Sequence, residues 1–129
     1  MCGIAGGIAL TRDARVERER LCRMAGLLAH RGPDAQGFWS DPSGRAALAH
    51  RRLSVIDLAG GAQPMVSESG KTAIVFNGEI YDYREQRAAL MRAGVTFRTQ
   101  SDTEVLPQLY ERYGANCVDH LRGMFAFAA

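Results

Sequence analysis

Lysine is almost missing from this chain: among sixteen Lys and Arg residues only Lys71 is a lysine, which we read as a coding bias without functional content. Neither charge sign dominates, with sixteen basic against fourteen acidic side chains and no block of either. A surface that tracks phosphates needs clustered positive charge, so no nucleic-acid partner is expected. Cysteine is scarce too. Cys2, Cys22 and Cys117 are odd in number and far apart, which argues against a disulfide framework. They form no Cys-x-x-Cys pair, and His30, His50 and His120 lack zinc-ligand spacing, so no metal is expected. Cys22, on the apolar side of an expected helix, and Cys117 read as packing residues. No apolar run approaches the length of a membrane span, and no charged and apolar leader precedes Met1-Cys2. The expectation is therefore a cytoplasmic protein without a membrane partner. Repeats, low-complexity tracts and linkers are absent, which leaves one domain over residues 1–129. At 129 residues and 47% hydrophobic content that domain can bury a substantial core.

What is present alternates between strand and helix patterns. An apolar, Gly-rich strand is expected over 4–10, followed by an amphipathic helix over 15–29 with Leu21, Met24, Ala25 and Leu28 on one face. Gly32 and Pro33 stop that helix. Strands are expected at 37–40, 46–50 and 53–58, then an irregular loop over 60–65 and a strand over 72–77. A helix over 83–93 ends at Gly94, and another strand is expected at 95–99. Ser101-Asp102-Thr103-Glu104 has the form of a capping box opening a helix, in which Pro107 marks a kink or a late start. A short helix over 115–121 leads to an apolar strand over 124–129, and a chain that stops within such a strand is expected to be a fragment.

Several side-chain sets carry chemistry. Ser69-Gly70-Lys71-Thr72 imitates a phosphate loop, but the pattern needs glycine where Met65 stands, so a hairpin turn is expected. Cys2 becomes a terminal residue once Met1 is removed. Its thiol and α-amine, with reference pKa values of about 8.5 and about 7.7–8, then place a nucleophile and a base in one residue. Asn77-Gly78-Glu79 is either a tight turn or a strand end that offers an amide donor, a glycine N–H and a carboxylate. Two such donors suit the oxyanion of amide hydrolysis, each worth about 10²–10³ in rate. The Arg51-Arg52 pair is either solvated or holds a carboxylate in bidentate fashion. Asp102 either complements a helix dipole or holds an ammonium.

Together, Met1-Cys2-Gly3-Ile4, Arg31-Gly32-Pro33-Asp34, Ala49-His50-Arg51-Arg52-Leu53-Ser54, Gln63-Pro64-Met65, Phe76-Asn77-Gly78-Glu79-Ile80-Tyr81, Ser101-Asp102-Thr103-Glu104 and Gly123-Met124-Phe125-Ala126-Phe127 resemble a known family. It is the N-terminal glutaminase domain of glutamine-hydrolysing asparagine synthetases, class II glutamine amidotransferases with the N-terminal-nucleophile hydrolase fold. The likeness runs through essentially the whole chain. It implies an α+β fold, an αββα four-layer sandwich that is C-terminally truncated here. By matching position, Cys2 attacks the side-chain amide of L-glutamine, with its α-amine moving the proton. Asn77 and Gly78 stabilise the oxyanion, Arg52 binds the glutamine carboxylate, and Glu79 with Asp102 hold the ammonium. Arg31 supports the cysteine loop.

The resemblance places ATP and Mg on a synthetase domain that this chain lacks, so no cofactor is expected on the chain itself. A homodimer remains open as a partner. Two other readings stay beside the first: a non-catalytic truncated module acting by association, and an amidotransferase with an acceptor other than aspartate. A Cys–His pair using His50 is a weaker alternative, since it predicts activity with Met1 still attached.

Overall fold

The computed structural model describes residues 1–54 and 60–129. Its elements are β1 (Gly3–Ile8), α1 (Arg18–Leu27), β2 (Ala35–Ser40), β3 (Ala46–Arg52), β4 (Met65–Val66), β5 (Ala73–Ile80), α2 (Tyr83–Arg92), a 3₁₀ turn (Asp102–Glu104), α3 (Val105–Tyr113), a second 3₁₀ segment (Gly114–His120) and β6 (Gly123–Ala128). Helix and strand are thus mixed, as expected for an α+β chain. The strands form two antiparallel three-stranded sheets, ordered β1-β3-β2 and β4-β5-β6. The sheets meet where β1 and β3 touch β5.

Each sheet has its own apolar core. On the first, the small residues Ala47 and Ala49 of β3 let α1 approach closely, and Leu21 and Ala25 of that helix are buried against them. On the second, Ile74, Phe76 and Ile80 alternate along β5 to one face and bury against Leu90 of α2 and Val105, Leu106 and Leu109 of α3. Each large apolar side chain so buried contributes about 1.5–3 kcal/mol before chain entropy is counted. Cys117 is fully buried in the same cluster, and burial pushes its thiol pKa up.

The structure departs from the sequence pattern where side chains take over backbone hydrogen bonds. Helix α1 starts at Arg18, not at 15, because the Val16 N–H donates to the Gly44 carbonyl and ties the entry to the β2–β3 turn. Residues 95–99 are not a strand: the N–H groups of Arg98 and Thr99 donate to the Glu104 carboxylate at 2.7 and 2.8 Å, leaving no ladder to form. That same carboxylate is unavailable for a capping box. Ser101 Oγ instead accepts from the Thr103 N–H at 3.2 Å. Pro107 sits in the first turn of α3, where its missing N–H costs nothing. Residues 69–72 form the expected hairpin turn, between the antiparallel β4 and β5. Of the strand expected at 53–58, Leu53 and Ser54 follow β3 without strand structure, and the remainder lies outside the described residues.

Candidate active site

Asn77-Gly78 is not a turn. Strand β5 runs straight through both residues to Ile80, with Asn77 opposite Ala126 and Gly78 opposite Phe125 of β6. Gly78 has φ +146°, and a Cβ there would lie 2.1 Å from the Met124 carbonyl oxygen, so glycine is required both by conformation and by space. Opposite this stretch a cleft of about 540 Å³ opens between the two sheets. Its walls include Cys2, Arg52, Asn77, Gly78, Glu79 and Asp102. The structure therefore gathers residues separated by up to a hundred positions into one cavity. Arg31 is the exception among the expected residues, since it is not part of the cleft wall.

Cys2 enters from just before β1 and is half-buried. Its sulfur lies between the main-chain groups of Leu53: Sγ accepts from the Leu53 N–H at 3.4 Å and donates to the Leu53 carbonyl at 3.7 Å. The Arg31 Nε–H donates to the Cys2 carbonyl at 3.2 Å. Asp34 supports the other side of this arrangement, as its carboxylate accepts from the Ser54 N–H at 2.7 Å and its own N–H donates to the Arg52 carbonyl. Gly32 makes room for the crossing, because a Cβ there would sit 2.3 Å from the Arg51 carbonyl. The segment over 31–34 thus touches both the cysteine and the stretch over 52–54.

The polar lining is uneven in charge. Arg52, at the end of β3, is buried at 8% exposure. Asp102 is buried too, held by the Ile80 N–H at 3.1 Å, while Glu79 is exposed at the rim. Buried Asn77 Oδ1 has no hydrogen-bond partner among the described residues. A buried acceptor left unsatisfied is costly, so the described residues alone do not complete the surroundings of Asn77. One guanidinium, two carboxylates, an amide and a thiol in one cleft suit a zwitterion with a polarisable centre farther along. Among the described residues no cluster of three or more His, Cys, Asp or Glu stands ready for a metal ion, and no helix is long and apolar enough to cross a membrane.

Sequence reasoning missed the groups that act through their main chain. Leu53 flanks the sulfur, and Met124, Phe125 and Ala126 close the cleft from β6. Residue type carries no signal for either. Gln63, within the Gln63-Pro64-Met65 stretch, carries no expected role, yet it lines the cleft and accepts the Phe76 N–H at 2.6 Å. His50 turns away from any pairing with the cysteine, since its Nε2 bonds the Phe76 carbonyl at 3.1 Å. Burial, and secondarily the nearby Arg52 charge, hold its pKa down at about 4, so the ring is neutral at pH 7.

The family model described as a glutamine amidotransferase domain matches residues 1–129. The chain is 42% identical over 127 residues to a glutamine-hydrolyzing asparagine synthetase of Triphysaria versicolor, covering 98% of this chain and 21% of that protein. It is 40% identical over 130 residues to glutamine-hydrolyzing asparagine synthetase 3 of Bacillus subtilis, covering 99% and 21% respectively. It is also 42% identical over 137 residues to a protein named amidase chry2 of Gibberella zeae, covering 98% and 20%. The chain spans about a fifth of the length of these relatives. With the family model matched from end to end, the chain belongs to the glutamine amidotransferase domain family.

Proposed function

We propose that the cleft hydrolyses the side-chain amide of L-glutamine, and that the chain is the glutaminase part of an asparagine synthetase-like enzyme, a type-2 glutamine amidotransferase domain. The observation that carries this reading is the convergence of Cys2, Arg52, Asn77, Gly78, Glu79 and Asp102 on one cavity. The two facing sheets, with α1 on one and α2 and α3 on the other, are consistent with the αββα sandwich of N-terminal-nucleophile hydrolases.

In this reading Met1, which lines the same cleft and is 69% exposed, is removed, and the Cys2 α-amine becomes the base. Arg52 takes the glutamine α-carboxylate, and Asp102 and Glu79 take its ammonium. The Cys2 thiol gives its proton to the α-amine as sulfur adds to the amide carbon. The oxyanion is met by the Asn77 side-chain amide and the Gly78 N–H. The amine then returns the proton to the leaving nitrogen, ammonia departs, and a thioester remains. Water, deprotonated by the same amine, cleaves the thioester to glutamate and restores the thiol. Arg31, bonded to the Cys2 carbonyl, holds the cysteine backbone in place. None of these steps calls on a cofactor, and ATP and Mg act in the synthetase part of such proteins, which would join the ammonia to aspartate.

The similarity to amidase chry2, as high as that to the plant synthetase, favours a second reading in which the same glutaminase chemistry serves another nitrogen acceptor. The glutaminase step is tested with 6-diazo-5-oxo-norleucine, a glutamine analogue that alkylates the nucleophile. Mass spectrometry is expected to find one adduct at Cys2, only on chains without Met1, and to find it suppressed by glutamine. An adduct elsewhere, or one indifferent to glutamine, overturns the assignment.

A further inference from the structure

His50 and Gln63 have no part in the chemistry above, yet both side chains end on the main chain of Phe76, the residue just before Asn77. The Phe76 N–H donates to Gln63 Oε1 at 2.6 Å, and its carbonyl accepts from His50 Nε2 at 3.1 Å. Because a carbonyl only accepts, the proton of the neutral ring sits on Nε2. The two contacts have a common origin in the strand pattern. Strand β4 is two residues long, with Met65 opposite Ile74. Continuing that register would place Gln63 opposite Phe76, but β4 has ended by then, and it is the Gln63 side chain that takes the Phe76 N–H.

Gly37 makes the same spot possible from the other sheet. It pairs with His50 across β2 and β3, and a Cβ on it would lie 1.9 Å from the Gln63 carbonyl oxygen. The bare glycine lets the Gln63 main chain lie on the sheet beside His50. His50 itself is 1% exposed and stands two residues before Arg52 on one face of β3. Arg52 precedes Leu53, whose main chain flanks the Cys2 sulfur. A short path of bonded groups therefore runs from the sulfur along β3, across His50 to Phe76, and on to Asn77 and Gly78.

Resting on the glutaminase reading, we infer that His50 and Gln63 are positioning residues: by fixing the Phe76 main chain they set Asn77 and Gly78 at the right distance from Cys2. The substrate carboxylate and ammonium are held by other groups, so the effect belongs to the chemical step and not to binding. Loss of one anchor should cost less than loss of an oxyanion donor.

The test is steady-state glutamine hydrolysis by the Met1-free chain and its His50→Leu, His50→Gln, Gln63→Leu and Gln63→Glu variants, each checked by thermal melting. For the leucine variants kcat is expected to fall roughly tenfold or more with KM within about threefold, below the 10²–10³ of a lost donor. His50→Gln keeps an N–H near the Nε2 position and Gln63→Glu keeps an acceptor, so each should recover kcat to within about threefold of the parent. Folded leucine variants with parental kcat overturn the inference, as does a loss confined to KM. If a leucine variant does not fold, its conservative counterpart decides: near-parental kcat supports the inference, and a leucine-sized loss in a folded His50→Gln or Gln63→Glu overturns it. A parent that neither hydrolyses glutamine nor takes up 6-diazo-5-oxo-norleucine overturns the glutaminase reading itself. An active parent beside indifferent variants overturns only the positioning roles.

Discussion

At Gly78 a positive φ of +146° and the nearby Met124 carbonyl act on the same atom that a side chain would add. Gly78→Ala is expected to destabilise the chain by about 2 kcal/mol or more, read by urea denaturation, with glutamine hydrolysis lost alongside. Arg52→Lys removes the planar fork while keeping the charge. Its KM for glutamine is expected to rise about tenfold with kcat little changed, since uniform binding is what it weakens. His50 gives a pH prediction. Its pKa falls from 6.5 to about 4 on folding. Between those values the unfolded state binds the proton and the folded state does not, so stability drops as the pH is lowered from 6.5 towards 4. The whole contribution is on the order of 3 kcal/mol. Asp41 and Asp82, both held below 3.8 mainly by hydrogen bonds to main-chain and side-chain donors, add their losses at lower pH still. Denaturant titrations of His50→Gln are expected to lack the slope between pH 6.5 and 4.5.

The element that delivers Asp102 to the cleft is a three-residue 3₁₀ turn, too short to hold itself. Glu104 anchors it: buried at 4% exposure, it accepts from the Arg98 and Thr99 N–H groups and from Thr99 Oγ1. Arg87 lies 3.9 Å away and covers the Phe97 ring at 4.2 Å. Glu104→Gln keeps the shape but turns an NH₂ towards donors, at a cost of about 1–3 kcal/mol. Urea denaturation should register that loss, and KM for glutamine should rise as Asp102 shifts. The spacing Ser-x-x-Glu correctly marks a chain reversal into a helix at this point. It misassigns the bonds, because a carboxylate reaching back to residues 98 and 99 satisfies two main-chain donors instead of the one at Ser101.

At the scale of the molecule, two modest cores are joined by strands β1, β3 and β5, and the cleft occupies the seam. Strand β1 is the last in its sheet among the described residues, and Ile8 and Leu10 beside its edge are 71% and 88% exposed. An apolar strand edge is a template for pairing with another chain. Sedimentation of the chain is therefore expected to depend on concentration. Ile8→Lys should weaken that dependence while changing stability by no more than about 0.5 kcal/mol.

The sequence by itself determined the alternation of strands and helices, the placing of Leu21 and Ala25 on the buried side of α1, though not of Met24, which is exposed, and the residue types of the site, because periodicity and residue chemistry are local properties. Most of the helices and the strands β1, β3 and β5 could be read in this way. Tertiary structure alone decided that Asn77-Gly78 continues a strand, since an Asn-Gly pair permits a turn equally well until β6 supplies the partner that Gly78 lets approach. It alone decided that His50 bonds the Phe76 carbonyl and that Leu53 flanks the sulfur. Those are contacts between segments distant along the chain, made partly by main-chain atoms that every residue possesses, so residue type could not announce them.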